Sequence, residues 1–328
     1  MRIRPLGSAG PQVSALALGT MGMSDWYGPA DEAESIATIH AAIDTGINLL
    51  DTGDFYGMGH NEMLLGRALE GRRDRVLLSV KFGALRAPSG AFIGVDGRPQ
   101  AVRNFAAYSL RRLKTDHIDI YRLTRLDPQV PIEDTVGAIA DLIQAGYVRF
   151  VGLSEVGAAT VRRAHAAHPI CDMQIEYSLI SRGIEKGILP AVRELGIAVT
   201  AYGVLSRGLL TGSEPRDKND IRARLPRFTG TNYEQNRPLI GSLAALAAEK
   251  GATPAQLAIA WVLSQGSDIL PVIGARTRAQ LANSMGALDL TLSAGDIARL
   301  EEICDPSRVA GTRYDAAQMK ILDSERRD

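Results

Sequence analysis

The chain is poor in the features that would narrow its class at once. It has only two cysteines among 328 residues, Cys171 and Cys304, which excludes a disulfide framework and fits a reducing compartment. It has no excess charge of either sign, since 37 Lys and Arg balance 37 Asp and Glu. No global field therefore draws it to nucleic acid or to an anionic membrane. The opening MRIRPLGSAG lacks the apolar core of a signal peptide, and no apolar run is long enough to span a bilayer. The expectation is a cytoplasmic protein with no nucleic-acid or membrane partner. No GxGxxG turn and no GxxxxGK[ST] loop occurs, which speaks against a dinucleotide-binding doubly wound sheet and a P-loop enzyme.

What is present is a rhythm. Strand-length apolar runs fall at 14–20, 47–53, 76–82, 118–124, 148–154, 172–178, 198–204 and 268–274. Amphipathic helical stretches separate them at 31–45, 61–70, 101–114, 133–145, 157–167, 184–195 and 233–265, and another follows at 277–287. Many of the strand runs are apolar throughout rather than alternating, as in strands covered on both faces. Eight such units predict a (β/α)8 barrel, with residues 1–328 as one domain. Two helix starts carry their own punctuation. Thr253 precedes Pro254, and Ser293 stands three residues before Asp296. Residues 1–13 predict a hairpin across the N-terminal end of the barrel. Residues 83–100 and 205–232 predict long loops at the C-terminal face, where barrel enzymes carry their chemistry.

In a barrel the strand ends converge on one mouth. The second strand ends on Asp51, with Tyr56 in the loop beyond, and the third holds Lys81 inside an apolar run. The fourth ends in Thr124 and Arg125. A carboxylate and an ammonium inside strands require each other, because an isolated buried charge is costly. They form either a stabilising ion pair alone or part of a proton-donor site. In the second reading the Lys81 charge favours the phenolate and draws the Tyr56 pKa down from ~10, making Tyr56 a general acid towards a carbonyl oxygen. His165 and His168 stand three apart but lack the third ligand and carboxylate of a zinc site.

The stretches LLDTGDFYGMGHNEMLLGRAL, VLLSVKFG, GYVRFVGLSE, MQIEYSLISRGIE, TAYGVLSRGLLTG and PVIGARTRAQL, in this order along nearly the whole chain, resemble the aldo-keto reductase superfamily. That resemblance implies reduction of an aldehyde or ketone by hydride transfer from NADPH. The catalytic set would be Asp51, Tyr56 and Lys81, with Thr124 where the family usually has histidine. Cofactor contacts would come from Gly19, Thr20, Met21, Asp51, Ser154, Gln174, Tyr202, Gly203, Leu205, Ser206, Arg207, Gly208, Gly274, Arg276 and Gln280. Of these, Ser154 and Gln174 would hold the carboxamide, Tyr202 would stack on the nicotinamide, and Arg276 would take the 2′-phosphate of NADPH/NADP+. Substrate-side candidates are Met23, Trp26, Tyr27 and Phe82. The threonine leaves a second reading open, an NADP(H)-binding sensor on the same barrel with little turnover. No metal site and no particular oligomeric state is implied.

Overall fold

The computed structural model describes residues 1–24 and 26–326. Its centre is a closed parallel barrel. The barrel strands are β3 (Ala17–Gly19), β4 (Leu49–Gly53), β5 (Leu77–Phe82), β8 (Ile118–Leu123), β9 (Val148–Ser154), β10 (Ile170–Glu176), β11 (Ala198–Tyr202) and β12 (Ile269–Gly274). All eight expected strands are in it, in chain order around the ring. Every residue of β8 and of β10 is buried, as the uniformly apolar runs require. The first strand is shorter than its apolar run, because Gln12–Ser14 pairs instead as β2 with β1 (Ile3–Pro5).

That antiparallel hairpin plugs the N-terminal end. Leu6 and Val13 pack with Ala17, Leu49, Ile120, Ala198 and Leu270 near the barrel floor. Gly7 sits at φ +71°, and a Cβ there would overlap the Cys171 carbonyl oxygen. Only glycine combines that backbone angle with that approach.

Helices α1 (Glu32–Asp44), α2 (His60–Ala68), α3 (Pro99–Leu113), α4 (Ile132–Gln144), α5 (Ala158–Ala167) and α6 (Ile188–Glu194) cover the outside. The expected block at 233–265 is two helices, α7 (Thr231–Glu249) and α8 (Pro254–Ser264). The chain breaks at Gly251, φ +62°, and restarts through a capping box of Thr253 and Gln256. Helices α9 (Arg278–Met285), α10 (Ala294–Ile303) and α11 (Ala316–Ile321) follow, α10 opening on a Ser293–Asp296 capping box. The segment at 83–100 is more ordered than a plain loop. It holds a second hairpin, β6 (Ala84–Arg86) with β7 (Phe92–Val95). No helix among the described residues is long and apolar enough to cross a membrane.

Candidate active site

A cavity of about 550 Å³ opens at the C-terminal ends of the strands. On its wall Lys81 Nζ lies 2.6 Å from Asp51 Oδ2, both side chains being almost fully buried. Asp51 Oδ1 also accepts from Ser79 Oγ at 2.9 Å and Gln174 Nε2 at 2.8 Å. Asp51 is thus fully partnered, and three strands fix its position. Lys81 Nζ stands 5.1 Å from the centre of the Tyr56 ring. Trp26 and Phe55 pack edge-on against that ring, at 5.9 and 4.8 Å.

The electrostatics correct one expectation. The Tyr56 phenol is held well above its ordinary pKa, first by burial and then by the Asp51 charge, and Arg125 opposes this. The Lys81 ammonium, paired with a carboxylate 2.6 Å away, does not outweigh these effects. Lys81 itself is lowered, by burial first; Asp51 opposes that shift and Arg122 adds to it. Tyr56 therefore stands as a firmly protonated phenol.

Beneath this group runs a polar column that the sequence reading missed. Arg122 lies inside the barrel, 2.9 Å from Asp172 Oδ2, and donates to Ser79 Oγ at 2.9 Å. Ser79 passes the contact on to Asp51. Gly152 makes room for the column, since a Cβ there would stand 2.6 Å from Asp172 Oδ1.

Most of the proposed cofactor residues line the cavity: Gly19, Met21, Ser154, Gln174, Tyr202, Gly203, Leu205, Arg207, Gly208, Gly274, Arg276 and Gln280. So do Thr124, Trp26 and Tyr27. Four candidates do not. Phe82 follows Lys81 directly, so strand alternation turns it outward, where it stacks on Tyr121 at 4.2 Å. Thr20 follows the wall residue Gly19 and bonds the Asp51 carbonyl and Asn61 instead. Met23 is buried in the main core. Ser206 is buried and accepts from Arg227.

The residues present suit a nicotinamide dinucleotide. Ser154 Oγ is buried and has no hydrogen-bond partner among the described residues, an orphan that a carboxamide would satisfy. Burial first, then the charges of Arg216 and Arg222, depress the pKa of Arg276, and the acid that opposes them is Asp220. Asp220 is itself 2.7 Å from Arg222. Such an excess of guanidinium suits phosphate. Arg276 also donates to the carbonyl of Tyr27 at 3.1 Å, and Ile221 N to that of Trp26 at 3.0 Å. These contacts tie the first loop across the trench.

Glu155 is buried at φ +55°. Burial would raise its pKa, but the Arg313 fork at 2.8 and 2.6 Å drives it far below the usual carboxylate range. Its Oε1 also accepts from the Tyr202 hydroxyl, which meets Tyr314 at 3.0 Å. The C-terminal segment therefore closes one side of the mouth. Arg86, Phe92, Arg125, Tyr314, Arg216 and Arg222 on the cavity wall were not in the sequence-derived site. Arg125 stands at a strand end that sequence already places at the mouth; the others lie on loops, a hairpin and the C-terminal segment, which carry no register that points there. No cluster able to hold a metal occurs among the described residues.

Comparison with known proteins agrees with this geometry. The chain is 40% identical over 314 residues to a probable aldo-keto reductase 1 of Glycine max, covering 94% of this chain and 90% of that protein. Among solved structures, a glycerol dehydrogenase from Gluconobacter oxydans matches with a TM-score of 0.82 at 31% identity, over 96% of this chain and 97% of the other. An aldo-keto reductase from Bacillus halodurans, solved in its holo form, matches with 0.77 at 28% identity, over 93% and 97%. Residues 15–305 match the Aldo/keto reductase family, and the chain belongs to that family of oxidoreductases.

Proposed function

We propose that the protein is an NADPH-dependent carbonyl reductase, converting an aldehyde or ketone to an alcohol with Tyr56 as proton donor. The observation that carries this is the Asp51–Lys81 pair at 2.6 Å with the Tyr56 ring 5.1 Å from the ammonium, on the wall of the cavity. The bound nicotinamide would supply the hydride. Tyr56 holds a proton at its phenol oxygen across the neutral range and delivers it as negative charge develops on the carbonyl oxygen. The Lys81 ammonium then offsets the charge left on the phenol, and Asp51, gripped by Ser79 and Gln174, keeps Lys81 in place. Thr124 lines the same cavity and its hydroxyl can donate one hydrogen bond to the substrate. Trp26, Phe55 and Phe92 give the substrate side an apolar wall that excludes water.

Arg216, Arg222 and Arg276 support NADPH over NADH, since three guanidiniums there meet one carboxylate, Asp220, and leave positive charge for the extra phosphate. The free cysteines, both buried, suit a reducing cytoplasm. Single-chain folding of residues 1–328 as one domain belongs to the same proposal.

The test is Tyr56→Phe. Turnover of model aldehydes should fall by ~10²-fold or more, the usual worth of a positioned acid. NADPH affinity, read by nicotinamide fluorescence, should change by less than ~3-fold, under 1 kcal/mol. A variant as active as the parent would overturn the assignment.

A further inference from the structure

Away from Arg276 at the dinucleotide end, the buried and half-buried arginines around the cavity are, with two exceptions, paired with acids. Arg207 meets Glu176 at 2.9 Å, Arg222 meets Asp220 at 2.7 Å, and Arg313 meets Glu155 at 2.6 Å. Arg125 and Arg86 line the cavity, yet neither forms an ion pair among the described residues.

Arg125 follows Thr124 at the end of β8. Its guanidinium has two hydrogen bonds, both to neutral oxygens: the Thr124 carbonyl at 2.6 Å and the Tyr314 hydroxyl at 3.4 Å. The acid whose charge reaches it is Glu155. That carboxylate is already filled by the Arg313 fork and the hydroxyls of Tyr202 and Ser324. Glu176 is similarly engaged by Arg207, with Arg227 at 3.6 Å and Arg313 at 3.7 Å. Two carboxylates thus face four guanidiniums on this side of the mouth, and Arg125 is the one left over. An arginine withdrawn from water without a counter-charge is costly, and a bound anion would relieve that cost.

Its place assigns it to the reacting end. The Arg125 charge acts on both Tyr56 and Lys81, whereas Arg216 and Arg222 act on Arg276 at the dinucleotide end. Arg86 lies on the substrate side too. Its guanidinium stands over Trp26 at 5.3 Å and Phe55 at 5.6 Å, and its Nε is buried without a partner among the described residues.

We propose that the substrate carries an oxyanion, a carboxylate in the first instance, beside an apolar body, and that Arg125 anchors it while Trp26, Phe55 and Phe92 cover the body. This deepens the reductase reading and rests on it for the carbonyl. The anion site itself is testable without turnover.

Two measurements separate the claims. The first compares 4-carboxybenzaldehyde with its methyl ester as substrates of the whole chain with NADPH. The acid should be preferred by at least tenfold in kcat/KM. In Arg125→Leu that ratio should fall towards one, the change residing in KM for the acid. Equal losses on acid and ester would show that Arg125 serves the carbonyl itself, and would overturn the proposal. So would a wild-type preference for the ester. The second measures binding of benzoate, phenyl phosphate and benzamide to the NADPH complex by calorimetry. The anions should bind at least tenfold tighter than benzamide, and Arg125→Leu should remove the difference; Arg125→Lys should restore part of it. The tighter of the two anions identifies which oxyanion the site takes. Anion binding that survives in Arg125→Leu, or that is absent in the wild type, overturns the proposal. Arg125-dependent anion binding with neither aldehyde reduced would instead count against the reductase reading alone.

Discussion

Asp54, three residues past Asp51, shows how a single side chain answers to its surroundings. Burial first, then the neighbouring charge of Glu62, pushes its pKa up to about 7, and its Oδ1 has no partner among the described residues. A carboxyl whose folded pKa lies above its unfolded value of ~3.9 takes up a proton on folding. Its contribution is then favourable below about pH 4 and is lost as pH rises towards about 7, above which the fold carries a buried charge. Asp54→Asn should therefore melt higher than the parent at pH 8, with the gap narrowing to roughly a third of that at pH 5. The ceiling on the gain is roughly 4 kcal/mol, from ~1.4 kcal/mol per pKa unit. A gap that is the same at both values would show that Asp54 is ionised throughout. Residue-scale chemistry of this kind was only partly legible. Asp51 and Lys81 stood out because charges inside apolar strands demand a partner. Arg122 also interrupts an apolar strand, and its partner Asp172 opens the apolar run at 172–178. Nothing in the linear order says that these two strands supply facing charges.

At the scale of elements, caps and periods carried the reading well. Thr253 and Ser293 became N-caps with reciprocal boxes, as their local sequences require. The long helical block split where Gly251 allows a positive φ. Faces were read less well than elements. Phe82 was expected at the mouth, yet it shares a strand with Lys81 at the next position, so it faces the helix layer and Phe105 at 6.1 Å. One residue of register changes a site residue into a core residue. The hairpin plug gives an element-scale test. In Gly7→Ala, the strained φ and the overlap with the Cys171 carbonyl should cost ~2 kcal/mol or more, seen as a lower denaturant midpoint. Since the plug sits at the end of the barrel opposite the cavity, kcat/KM of the folded protein should not change. Loss of activity without loss of stability would show that the floor and the mouth are coupled.

For the whole molecule, closure of the mouth is a long-range matter. Arg313 reaches Glu155 across 158 positions of sequence, and Arg276 reaches the Tyr27 carbonyl across 249. Removing one member of a buried pair leaves the other uncompensated. Arg313→Leu should thus cost ~3–5 kcal/mol and weaken NADPH binding, because Glu155 also holds the Tyr202 hydroxyl. Arg313→Leu with Glu155→Gln should recover much of the stability, since position 155 then carries no bare charge. If the double variant is as unstable as the single, packing of the C-terminal segment rather than charge is responsible.

The sequence by itself determined the barrel, the strand ends that converge, and the Asp51, Tyr56 and Lys81 set, because apolar period and buried charge are local and leave a mark in linear order. The tertiary structure decided which neighbour of each wall residue faces the cavity. It also decided that the Tyr56 phenol is raised rather than lowered, and that Arg125 and Arg86 remain without an acid when the arginines around them are paired. Those outcomes depend on distances between loops far apart in the chain, and on how closely burial and counter-charge balance at each point, which composition and spacing do not encode.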